Sequence, residues 1–110
     1  MEAHDGSQLL LAWQDGRVTL TGHDQVLVLG AAESADVAVR GSFASRNHAR
    51  IERRKQEYVL IDHTTNGTFV QTEDERVTFV RRQEVRLWGA GWISLGEPLS
   101  PATAIHFENV

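Results

Sequence analysis

Apolar and polar positions alternate with a period of two through most of the chain, and no stretch carries a helical stripe of any length. Leu9-Leu10-Leu11-Ala12-Trp13 is apolar and strand-compatible, and Arg17-Val18-Thr19-Leu20 alternates with Val18 and Leu20 facing inward. Asp15-Gly16 between these two runs is a strong short-range hairpin signal. Val26-Leu27-Val28-Leu29 is continuously apolar, as expected for a central strand buried on both faces. Short strands are further expected at residues 37–39, 49–52, 58–61, 68–70, 77–80, 85–87, 92–95 and 105–107, the last pairing near the N-terminal strand. Ala49 and Ile51 alternate with Arg50 and Glu52, and a turn falls near Lys55-Gln56. Gly89-Ala90-Gly91 is expected as another turn. About eleven short strands at roughly 8–12-residue spacing predict an all-β antiparallel sandwich with its functional loops at one end. Trp13, Trp88 and Trp92 lie in or beside apolar runs and are expected between the sheets, not in an aromatic cage.

Two loops are richer in polar chemistry than turns require. Asp62-His63-Thr64-Thr65-Asn66-Gly67 separates two apolar segments, and Ser45-Arg46-Asn47-His48 lies upstream. Asp and Asn bond their own backbone, and Gly67 takes positive φ without a Cβ clash. The hydroxyls, the amide and the Asn66-Gly67 pair suit an oxyanion or an extended peptide backbone, and Ser45 with Arg46 adds a hydroxyl and a cation for phosphate. These loops are expected to converge into one anion- and peptide-binding edge.

Composition narrows the classes. The chain has 110 residues, enough for one core: residues 1–7 read as a disordered tail and 8–110 as a single domain. It contains no cysteine, which fits a reducing, cytoplasmic setting and excludes thiolate metal sites. The N-terminus is polar and acidic, unlike a signal peptide, and no apolar run is long enough to insert in a membrane. A net charge of −4 argues against nucleic acid as a partner. Arg46, Arg50, Arg53, Arg54 and Lys55 form a local basic segment, expected to be mostly a solvated strand and hairpin tip. His23, His48 and His63 with Asp24 and Asp62 show no metal-ligand spacing. Ser45 and His48 lack a visible orienting acid, so no enzyme, metal or cofactor is expected.

Gly30 with Asp36, the Ser45-Arg46-Asn47-His48-Ala49 run, residues 62–69 around Thr65-Asn66-Gly67-Thr68, and Ile93-Ser94-Leu95-Gly96 occur in the order and spacing of a forkhead-associated (FHA) domain, which the chain resembles from about Leu9 to Phe107. The resemblance implies an eleven-stranded β-sandwich that binds phosphothreonine-containing peptides through loops at one end. Carried over, it implies that Ser45 donates its hydroxyl to the phosphate and Arg46 supports it with charge. Thr65 adds a further donor, Asn66 holds the peptide main chain, and Phe43 lies in the loop that sets specificity. Gly30, His48 and Gly67 are expected to be architectural. Residues 81–96 also look like FHA segments attached to bacterial class III adenylate cyclases, which implies a regulatory or targeting module whose partner includes the rest of a larger parent chain.

One departure bears on function. The family places an arginine directly after the glycine at position 30, and here Ala31 stands there. Losing such a charge-assisted hydrogen bond costs about 1.5–3 kcal/mol, roughly 10- to 150-fold in affinity. Arg40 is the candidate to replace it. The alternative is a degenerate FHA domain making phosphate-independent intramolecular or homodimer contacts.

Overall fold

The computed structural model describes residues 8–22 and 25–110. The expected N-terminal tail, His23 and Asp24 lie outside them. Eleven strands are present: β1 (Leu9–Trp13), β2 (Gly16–Leu20), β3 (Val26–Gly30), β4 (Val37–Ala38), β5 (Ala49–Arg54), β6 (Glu57–Asp62), β7 (Thr68–Thr72), β8 (Val77–Val80), β9 (Glu84–Arg86), β10 (Ala90–Leu95) and β11 (Ile105–Asn109). They form a six-stranded sheet, β2-β1-β11-β10-β7-β8, packed on a five-stranded sheet, β4-β3-β5-β6-β9. The pairings are antiparallel except β3 with β4, which is parallel. As expected, β11 pairs with β1. The β1–β2 hairpin closes with Trp13 opposite Gly16.

Period two decides what enters the core. Leu9, Leu11, Val70, Ile93, Ile105 and Phe107 point inward from the larger sheet, and Leu27, Leu29, Ala49, Ile51, Tyr58 and Leu60 meet them from the smaller one. The Tyr58 hydroxyl donates to the Leu20 carbonyl at 3.1 Å, so the one buried phenol is satisfied.

Three expectations are corrected. Strand β3 has neighbours on both edges, but a two-layer sandwich covers only one of its faces, so Val26 is exposed and Val28 half-buried. Ala90 and Gly91 belong to β10 instead of a turn: a Cβ on Gly91 would lie 2.0 Å from the Gln71 carbonyl oxygen and 2.9 Å from the Phe107 ring, so glycine lets the strand pack closely there. Two tryptophans are outside the core. Ile93 and Leu95 take the inward phase of β10, which turns Trp92 to the surface at 44% exposure against His106. Trp88 is 57% exposed with the Arg86 guanidinium over its ring. Only Trp13 packs against the core, half-buried, its indole N–H donating to the Ala38 carbonyl at 3.1 Å.

Neighbouring residues of β10 should therefore respond oppositely to substitution. Gly91→Ala should lower unfolding free energy by about 1–3 kcal/mol through overpacking, whereas Trp92→Ala should change it by about 0.5 kcal/mol or less. Urea denaturation of both variants checks this, and equal losses would contradict the strand phase.

Candidate functional site

The alternation on β6 places Tyr58, Leu60 and Asp62 inward, so a carboxylate occupies the last core position of that strand. Thr68 occupies the first inward position of β7 and is fully buried. A charge there survives only if hydrogen-bonded, and it is. Asp62 accepts the Thr68 hydroxyl at 2.6 Å, the Thr64 N–H at 2.8 Å, the Thr64 hydroxyl at 3.1 Å and the Arg82 N–H at 3.0 Å. Burial alone would raise its pKa, but the Arg82 amide, the Thr68 hydroxyl and the Thr64 amide and hydroxyl outweigh that and hold it below the ordinary carboxylate value. One carboxylate thereby pins both the β6–β7 loop and the turn after β8.

His48 ties a third segment to this pair. It is fully buried; its Nδ1 accepts the Ser45 N–H at 3.0 Å, which leaves the ring proton on Nε2, directed at the Gly67 carbonyl at 2.8 Å. The neutral Nε2–H tautomer follows from the backbone donor it accepts. The His63 N–H returns to the His48 carbonyl at 3.1 Å. The Gly67 carbonyl also accepts the Gly96 N–H at 2.9 Å, and its N–H donates to the Thr64 hydroxyl at 2.9 Å. Gly67 adopts φ +83°, and a Cβ there would meet the Phe79 ring at 2.4 Å, so both conformation and space require glycine. Gly30 serves differently: its missing Cβ leaves room for the Arg46 carbonyl, which a methyl would approach to 2.0 Å.

Above this buried tier, Ser45, Arg46, Thr65 and Asn66 are all exposed, on two loops joined by His48. The Asn66 side-chain amide donates to the Phe43 carbonyl at 3.3 Å, which brings the exposed Phe43 beside it. The side chains of Ser45, Arg46 and Thr65 make no hydrogen bond or ion pair with other described residues. Ala31 is exposed next to them, its N–H donating to the Ser45 carbonyl at 2.9 Å. Arg40 is not brought to this group: its guanidinium faces Asp15 of the β1–β2 turn at 3.7 Å. Of the basic segment, Arg50 and Arg54 pair with Glu52, and Arg54 also reaches Glu84. Sequence reasoning missed Asp62, Thr64 and Thr68 as the anchor. Their signal was the inward phase of Asp62 and Thr68 at the ends of facing strands.

Among the described residues, no three His, Asp or Glu side chains come together as a metal-ion site, and no helix is long and apolar enough to cross a membrane. The FHA domain family profile matches residues 27–95. The chain belongs to the FHA domain family, whose members are generally non-catalytic recognition modules. No curated protein matches the chain by sequence. Among solved structures, the first FHA domain of Mycobacterium tuberculosis Rv1747 is 24% identical with a TM-score of 0.72, over 93% of this chain and 95% of that one. An FHA domain of an Arabidopsis thaliana hypothetical protein is 19% identical with a TM-score of 0.75, over 100% and 92%. The N-terminal FHA domain of Saccharomyces cerevisiae Rad53p, solved with a phosphothreonine peptide, is 15% identical with a TM-score of 0.73, over 94% of each chain. At these identities the likeness shows the shared fold.

Because the folded-state pKa of Asp62 is lowered, its stabilisation is complete above the ordinary carboxylate range and is lost as pH falls through the folded value. Asp62→Asn should cost about 2–3 kcal/mol at neutral pH, since an amide N–H replaces an acceptor facing four donors. The penalty should shrink toward acid pH. Denaturant titrations at several pH values check both; a pH-independent penalty would contradict the assignment.

Proposed function

We propose that this chain is a non-catalytic recognition module for a phosphothreonine-containing segment of a partner protein. The observation that supports the reading is that His48 ties together the two loops carrying Ser45, Arg46 and Thr65, whose side-chain donors are unspent on other described residues, with Asp62 anchoring the second loop. In this reading the Ser45 hydroxyl and the Arg46 guanidinium bind phosphate oxygens and Thr65 adds a donor. The Asn66 amide, oriented by the Phe43 carbonyl, receives the peptide backbone, and Phe43 contacts residues flanking the phosphothreonine. Anion binding here needs little loop ordering, because the buried hydrogen bonds have already fixed the loop backbones.

One observation favours a second reading. Ala31 offers only a methyl beside Ser45, and Arg40 turns to Asp15, so the phosphate position holds one fewer cation than the family pattern supplies. Phosphate-independent contacts within a parent chain or a homodimer are then the alternative. The likeness of residues 81–96 to segments attached to bacterial class III adenylate cyclases supports a place in a larger signalling protein, which the module would regulate or target.

Calorimetric titration with a degenerate phosphothreonine peptide library separates the two. The phosphopeptide reading predicts binding that is lost on dephosphorylation and weakened about tenfold or more by Ser45→Ala, the loss of a hydrogen bond to a charged group. Ala31→Arg should tighten binding about 10- to 150-fold by restoring the cation. Phosphate-dependent binding in Ala31→Arg alone would establish the second reading. No phosphate dependence in either protein would overturn the first altogether.

A further inference from the structure

The sandwich has four edge strands: β2 and β8 in the larger sheet, β4 and β9 in the smaller. Proteins ordinarily blunt such edges with charge, proline, glycine or brevity. Three of these follow that practice: β2 starts at Gly16 and carries Arg17, β4 has two residues, and β9 reads Glu84-Val85-Arg86. The fourth does not. Strand β8 reads Val77-Thr78-Phe79-Val80, without charge, proline or glycine. Val77 is 50% and Phe79 48% exposed, and Phe79 stacks on Phe69 at 4.9 Å between ring centroids. Beyond its pairing with β7, the backbone of β8 makes no hydrogen bond to other described residues. Beside its free edge opens a groove of about 650 Å³, with Val70, Thr78, Val85 and Trp88 among its lining.

The two ends of β8 carry opposite charge. Glu73, Asp74, Glu75 and Arg76 precede it, with Arg76 beside Asp74 at 3.9 Å, and Arg81 and Arg82 follow it, all exposed. The Glu75, Arg81 and Arg82 side chains make no hydrogen bond or ion pair with other described residues. A strand that is net acidic before and basic after an apolar middle is complementary to itself when run antiparallel. We propose that the occupant of this edge is a second copy of the chain, in a two-fold dimer that pairs β8 with β8 and joins the two six-stranded sheets.

Register follows from face and charge together. Side chains directly opposite in an antiparallel pair share a face, so a two-fold axis normal to the sheet passes through a residue. With Thr78 on the axis, Val77 lies opposite Phe79 of the second copy and Arg76 opposite Val80, and the turn that carries Glu75 in one copy comes to the turn that carries Arg81 in the other. Moving the axis to Phe79 sets Arg76 against Arg82 and Val77 against Arg81, and moving it to Val77 leaves Glu75 opposite Phe79. Of the three, Thr78 on the axis alone sets Val77 against Phe79 and Glu75 toward Arg81, and it leaves Arg76 opposite Val80. It also makes every contact twice, as an isologous interface requires. The Phe69–Phe79 pair then continues across the axis as one apolar strip.

Sedimentation velocity on the 110-residue chain tests this between about 10 μM and 1 mM, the range in which a small interface associates. A reversible dimer is expected, with the amides of β8 gaining exchange protection as concentration rises. Glu75→Arg and Arg81→Glu each replace two attractive contacts by repulsive ones and should each weaken self-association about tenfold. Mixing the two single variants should restore it, because the charges then match across the axis, and so should the double variant. Circular dichroism confirms that each variant is folded. A monomer throughout the range would overturn the proposal. So would a dimer indifferent to both substitutions, or variants whose mixture does not associate.

Discussion

The structure depends on a carboxylate placed where a core side chain belongs. Asp62 continues the inward phase set by Tyr58 and Leu60, so the folded chain must bury a charge at one end of the sandwich. An unpaired charge there would cost several kcal/mol. The chain answers with donors from three places: Thr64 in the loop, Thr68 on the facing sheet, and the backbone of Arg82 after β8. The Thr64 and Arg82 bonds satisfy Asp62 and also hold segments outside the strands, and the Thr68 bond ties the two sheets together. The site's geometry is in this sense a consequence of a burial problem solved locally.

His48 extends the same logic to the loop carrying Ser45. By accepting one backbone N–H and donating to one backbone carbonyl, it links two loops through groups that do not vary with side-chain identity. The Ser45 and Thr65 hydroxyls make no hydrogen bond to other described residues. Preorganisation of this kind lowers the ordering cost of binding, and it bears directly on Ala31. In the phosphopeptide reading proposed above, a site short of one cation retains affinity only to the extent that its remaining donors are already in place.

The sequence made the strands legible because alternation is a local property, and every strand pairing but β3 with β4 follows the antiparallel expectation. What it concealed were properties set by partners across space. Trp92 looks like core until Ile93 and Leu95 claim the inward phase, and Val26 looks doubly covered until the sandwich proves to have two layers. Ser45, Arg46, Thr65 and Asn66 stood out because polar excess in a loop shows in one dimension, and the structure places all four exposed on loops. Arg40 was misdirected because nothing in the sequence signals that Asp15 lies beside it. Asp62 was seen as a turn former, and its deeper role was visible only as a phase two residues beyond Leu60.

The most direct test of this account compares His48→Ala with the wild-type chain by amide hydrogen exchange and phosphothreonine-peptide titration on the same samples. The account predicts that the Ser45 amide, which donates to His48, loses protection while those of β1, β10 and β11 keep theirs, and that peptide affinity falls with the loop protection. Lost protection with unchanged affinity would contradict it, because the buried brace would then not be what holds the binding loops in their working arrangement.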